Sequence, residues 1–127
     1  MSVRSHELLD AQTLRSAVSA AGAGCASCGH PQCEGWESVS APVGAPLVCI
    51  GTLRDPAVEE PTLQERHAPG TGYWHARAPV AVRHFPYNRC SVWRCPNCHR
   101  GFLQYTEAGG YYVDHRVRAL DPALIED

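Results

Sequence analysis

A chain of 127 residues with a formal net charge of -2 and 44% hydrophobic residues makes one domain with a modest core, small enough for a metal cross-link to matter to its stability. It contains no apolar run of the roughly 18 residues that crossing a bilayer requires. Met1-Ser2-Val3-Arg4-Ser5-His6-Glu7 places an acid where a secretory leader carries its apolar stretch, so a soluble, cytoplasmic protein is expected.

Residues 6–21 read as a helix, with Leu8, Ala11, Leu14, Val18 and Ala21 at helical spacing, Ser5 as cap, and Gly22 and Gly24 as the stop. Residues 29–46 are rich in Gly, Pro and Ser and read as loop, with Trp36 their one large aromatic residue. The apolar run 47–53 has strand length. Residues 54–72, acidic and holding Pro56, Pro61, Pro69, Gly70 and Gly72, read as a surface loop.

From Tyr73 to Arg118 the pattern is β-rich. Residues 79–85 alternate Val80, Val82 and His84 against Ala81, Arg83 and Phe85, and Cys90 to Cys95 reads as a strand. Phe102 to Glu107 and Tyr111 to Arg118 form a hairpin whose turn contains Gly109 and Gly110. On its second strand Tyr111, Val113, His115 and Val117 are expected to face the core. Tyr112, Asp114, Arg116 and Arg118 are expected to face solvent. Asp121-Pro122 is a cap followed by proline, which predicts a closing turn.

Two cysteine pairs stand out, Cys25-Ala26-Ser27-Cys28 and Cys95-Pro96-Asn97-Cys98, separated by 66 residues. Two residues between cysteines let both thiolates of a tight turn reach one ion, and two such turns complete the four-sulfur tetrahedron that Zn2+ prefers. Four closed ligands leave no position for water, so one structural zinc on Cys25, Cys28, Cys95 and Cys98 is expected. Loop closure grows only logarithmically with length, so the long insertion between the pairs is tolerable. His30, Cys33, Cys90 and His99 lie near the pairs and are rival ligands. The seven cysteines are an odd number. Cys49, within an apolar strand, reads as a small buried hydrophobe, and Cys90 as the same.

On these knuckles and the strands around the second, the chain resembles the zinc-ribbon class. The resemblance implies a split ribbon, and the whole 1–127 reads as a single α+β domain with an N-terminal helix and a small antiparallel sheet. Ribbons serve transcription, RNA binding, protein binding and purely structural roles, so the resemblance leaves function open.

All eleven basic residues are arginine, and six of them (Arg66, Arg77, Arg83, Arg89, Arg94, Arg100) fall in a stretch without Asp or Glu that ends at Thr106. This predicts a local basic surface, with Arg83 and Arg94 as the strand arginines best placed to meet a partner. Two binding readings follow: another protein with an acidic surface, or a nucleic acid stacked on the interleaved aromatics. The sequence pI of 6.4 weighs towards the protein. His75, His84 and His115, with Cys49 or Asp114, supply the components of a metal- or thiol-dependent enzyme, but no motif arranges them. The expected function is non-catalytic: a small adaptor or immunity-type protein of bacterial kind.

Overall fold

The computed structural model describes residues 7–18, 35–41, 43–44, 46–108 and 111–127. Its helix α1 spans Ala11–Val18. Strands β1 (Glu37–Val39), β2 (Val48–Thr52), β4 (Ser91–Arg94), β5 (Gly101–Ala108) and β6 (Val113–Ala119) form one antiparallel sheet in the order β1-β6-β5-β4-β2. A parallel pair, β3 (Val80–Ala81) with β7 (Ile125–Glu126), stands apart. The expected α+β class is therefore found.

Helix α1 begins later than the apolar spacing suggested. Asp10, not Ser5, caps it: the Thr13 backbone N–H donates to Asp10 Oδ1 at 2.8 Å, and Thr13 Oγ1 in turn accepts from the Asp10 N–H at 2.8 Å. The preceding residues are extended and run beside β2. Thr52 N donates to Glu7 O and Leu9 N to Thr52 O, both at 2.9 Å, and Leu8 bridges Thr52 in parallel. Backbone pairing thus takes residues that fit the helical period. Ser5 and the predicted stretch beyond Val18 lie outside the described residues.

β2 carries a bulge, since Cys49 pairs with Trp93 and Gly51 with Val92, leaving Ile50 as the additional residue. A Cβ at Gly51 would stand 2.7 Å from Glu7 O, so glycine here is what lets the N-terminal segment approach the strand.

The sheet is packed on both faces. Val92, Leu103 and Tyr105 project on one face into a cluster with Ala11, Leu14 and Val18 of α1, and with Trp36, Val80, Tyr87, Leu120 and Ile125. Phe102, Val117 and Ala119 on the other face pack with Val43, Leu47 and Cys95. Cross-strand register explains the division: Phe102 opposes Ala119 and Trp93, while Leu103 opposes Arg118 and Val92.

The prediction for the faces of β6 holds for Val117, which is fully buried, and is overturned for Tyr111, Val113, Arg116 and Arg118. Arg116 and Arg118 lie on the side of the larger cluster, and Arg118 is only 1% exposed, whereas Val113 and Tyr111 are exposed. The predicted strand 79–85 contracts to β3, because a turn and a 3-10 segment (Tyr87–Arg89) follow it. Short β1, expected to be loop, pairs with β6. The closing turn, expected over 123–126, forms at Pro122–Leu124 with Asp121 accepting from Ala123 N at 3.0 Å, and Ile125–Glu126 are strand β7 instead. Gly109 and Gly110 lie outside the described residues.

Gly101 marks the closest approach of α1 to the sheet. A Cβ there would lie 2.4 Å from Val18 Cγ1 and 3.0 Å from Leu120 Cδ1, both in the core, whereas one at Gly44 would meet nothing within 4 Å. Gly101→Ala is expected to lower stability by about 1–3 kcal/mol through overpacking, and Gly44→Ala to stay within about 0.5 kcal/mol of the native chain. Urea unfolding of the two variants checks both; equal midpoints would refute the packing assignment.

Candidate metal centre

The second cysteine pair occupies the turn between β4 and β5. Cys95 N donates to Arg100 O at 3.0 Å and His99 N to Cys95 O at 2.9 Å, which folds residues 95–100 into a knuckle closing the hairpin. His99 takes a left-handed conformation, φ 63°, a position that favours glycine. Cys95 is fully buried in the smaller cluster, with Cys98 packed against that cluster and half-buried. The donor types and the single-turn presentation fit half of a four-sulfur shell.

The partners predicted for this pair, Cys25 and Cys28, lie outside the described residues, as do the rival ligands His30 and Cys33. Among the described residues no group of three or more metal-ligating side chains gathers. Cys90 belongs to the other face of the sheet: it sits in the larger cluster, its thiol donating to Pro86 O at 3.4 Å. Burial pushes that thiol well above its ordinary range, with the Arg118 charge opposing the shift, so Cys90 is an inert core thiol as predicted. Cys49, expected to be buried, is half-buried, and its thiol donates to Gly51 O at 3.7 Å.

The histidines do not converge. His75 Nδ1 accepts from Arg77 N at 2.9 Å, His115 Nδ1 meets Thr106 Oγ1 at 2.9 Å, and His84 Nδ1 is buried without a partner. Asp114 is engaged elsewhere: it accepts from Arg116 Nε at 2.8 Å and from Ser38 Oγ at 3.0 Å. These bonds, first the Arg116 guanidinium and then Ser38, hold its carboxyl below the usual range.

The arginines of the acid-free stretch also disperse. Arg83, exposed and in a turn, pairs with Asp127 at 3.0 Å; Arg77 pairs with Asp121 at 3.0 Å and Arg66 with Glu126 at 3.5 Å. Arg94, expected to point away from the core, shares the α1 side of β4 with Val92 and donates to Ala17 O at 3.1 Å, where it answers a carbonyl of the last helical turn. Arg89 donates to Pro61 O at 3.2 Å. Arg83 and Arg94 thus sit towards opposite ends of α1 and share no surface.

The cluster that the sequence did not reveal is built on β6. Arg116 Nη1 donates to the Tyr73 and Tyr105 hydroxyls, both at 3.0 Å, beneath the exposed Trp74 ring, whose centroid is 5.0 Å from the guanidinium. The two tyrosine hydroxyls bond each other. Arg118 donates to Tyr87 Oη, to Ala78 O at 2.7 Å and to Ala76 O at 3.2 Å. Burial raises the pKa of all three phenols, so they are neutral hydrogen-bonding groups and not bases. The interleaving of aromatics with arginines was the available signal; it marks an internal seam. No protein-family model, no curated protein and no solved structure matches this chain.

Two outcomes follow. His99→Gly is expected to raise stability by up to about 1 kcal/mol by relieving the left-handed residue, net of glycine's entropy, and, if the knuckle holds a metal, to leave the metal content unchanged. A loss of metal on equilibrium dialysis would make His99 a ligand. Asp114, with its folded pKa below the ordinary value of about 3.9, stabilises the fold fully above that value and loses this contribution as pH falls through the folded pKa. Asp114→Asn should therefore flatten the acid side of a stability-versus-pH curve below about pH 4 and leave its alkaline side unchanged.

Proposed function

We propose that this chain is a structural-zinc α+β module, of split zinc-ribbon type, that acts in the cytoplasm by binding another protein and not by catalysis. Cys95 and Cys98 hold one side of the ion, and Cys25 and Cys28 the other. The single observation that carries the metal reading is the Cys95–His99 knuckle, with Cys95 set into the smaller core cluster at the end of the β4–β5 hairpin. Zinc in that position cross-links the hairpin to the N-terminal half of the chain and thereby stabilises a small core. No helix among the described residues is long and apolar enough to cross a membrane.

The partner reading rests on what is exposed. Arg66, Arg77 and Arg83 are each matched by a C-terminal acid, which weakens any electrostatic claim on a phosphate backbone. Tyr111 and Tyr112, just before β6, and Val113, its first residue, are consecutive exposed large apolar residues, a composition suited to the apolar centre of a protein interface.

Elemental analysis of purified chain is expected to find one zinc, lost in Cys28→Ser and Cys95→Ser and retained in Cys49→Ser. Two metals per chain, or zinc retained in Cys95→Ser, would overturn the four-cysteine assignment. For the binding role, a stoichiometric protein should co-purify from the native host with the wild-type chain, persist at high salt, and be lost from the Tyr112→Ser/Val113→Ser variant. Retention of nucleic acid that salt releases would overturn it in favour of a nucleic-acid ribbon.

A further inference from the structure

Residues 60–66 form a strap across the segment that follows β3. They have no regular secondary structure, and all but Pro61 are exposed. None belongs to either core cluster, and Leu63 is 70% exposed. At one end Arg54 gathers the preceding loop, donating to Asp55 O and, at 3.4 Å, to Glu59 O. At the other end Arg66 meets Glu126 at 3.5 Å in an exposed pair of the kind that contributes little.

Between these ends the main chain of the strap accepts three hydrogen bonds from the body of the fold. Asn88 Nδ2 donates to Thr62 O at 2.9 Å, Arg89 Nη2 to Pro61 O at 3.2 Å and Phe85 N to Gln64 O at 2.9 Å. The groups so capped are only partly satisfied. Asn88, 7% exposed, has its Oδ1 buried without a partner, and Arg89 has its Nε in the same condition. A buried polar atom without a partner costs free energy that is regained once water reaches it, whereas a hydrogen bond exchanged for one to water loses little. The closed strap is thus opposed by the side chains that hold it, and its exposed residues bury little apolar surface to offset that cost.

We infer that residues 60–66 are a gate, lifting from the 85–89 segment as a unit through a local opening that leaves the sheet folded. Such moving segments are drawn from the least stable parts of a fold. Pro61 and Thr62 belong to the wall of a cleft of about 440 Å3 that Leu8, Leu9, Leu53 and Val82 also line. Opening therefore widens this cleft and bares three donors, the Phe85 N–H, Asn88 Nδ2 and Arg89 Nη2. The gate is independent of zinc and of any protein partner.

Native-state hydrogen exchange of the intact chain, followed by NMR in low concentrations of urea, tests the gate. The Phe85 amide, bonded to Gln64 O, reports the strap, and the amides of β5 report the sheet. Corrected for intrinsic rates, the Phe85 amide is expected to exchange about 100-fold or more faster than the slowest β5 amides, at a rate that low urea leaves unchanged because little surface is exposed. Val117→Ala, in the smaller cluster on the other face of the sheet, weakens the closed and open forms alike. It should speed the β5 amides about tenfold or more and leave Phe85 at its native rate. A Phe85 amide as slow as those of β5, a urea dependence as steep as theirs, or acceleration of Phe85 together with β5 in Val117→Ala would each overturn the proposal and make the strap a fixed part of the cleft wall.

Discussion

The burial of Arg118 is the constraint around which the larger core is arranged. A guanidinium taken out of water loses several kcal/mol of solvation unless its donors are satisfied, and no carboxylate contacts this one among the described residues. Its two Nη groups are answered instead by neutral acceptors, the Tyr87 hydroxyl and the carbonyls of Ala76 and Ala78, while its Nε is buried without a hydrogen-bond partner among the described residues. Those carbonyls belong to a turn with little regular structure of its own, so the arginine holds the turn against the sheet. Arg116, two residues earlier on the same face, repeats the device through Tyr73 and Tyr105, with its guanidinium against the Trp74 ring. Trp36 then completes the seam, its ring 6.0 Å from Tyr73, 5.7 Å from Tyr87 and 5.1 Å from Tyr105. The seam needs neutral phenols as acceptors, and burial keeps them so.

This arrangement explains which parts of the fold were legible in the sequence. β4, β5 and β6 were readable within a residue or two because each is a β-rich run bounded by turn residues or by a knuckle. The faces of β6 were not. Alternation assigns the more hydrophobic set to the core, but Arg116 and Arg118 are long apolar stems with donors at the tip, and the carbonyls that receive Arg118 come from residues about forty positions away. The helix start failed for a related reason: Leu8 is in phase with Leu14 and Val18, yet pairing with Thr52 outweighs the local period. β1 and β7, at two or three residues each, are defined by their partners and carry no local signal, whereas the alternation over 79–85 marked β3 but overstated its length. For the candidate site, the Cys95–Cys98 knuckle was legible from spacing alone, down to its turn, whereas the cleft beside the strap gathers three segments that no motif connects.

Charge provides the same lesson. Counting along the chain isolates a basic stretch ending at Thr106, but Coulomb interactions follow distance in space. The acids that answer Arg66, Arg77 and Arg83 are Glu126, Asp121 and Asp127. The C-terminal segment returns beside β3 through β7, and Arg15 of α1 reaches Ile125 O at 3.2 Å. These are exposed pairs, each contributing little to stability, and they offset three of the six positive charges in that stretch, while Arg89 and Arg94 bond neutral carbonyls.

The two faces of the sheet are unequal in a way that bears on the metal. The larger cluster has a helix, a second small sheet and an aromatic seam to close it. The smaller has Val43, Leu47, Phe102, Val117 and Ala119 around Cys95, covered mainly by an irregular loop. A core of that size is marginal by itself, and small domains commonly supplement such cores with a staple. On the proposed zinc reading the staple would fall at the β4–β5 turn, beside the buried Cys95. A metal so held would need no open coordination position, since its contribution would be to hold together the face of the sheet with the smaller apolar cluster.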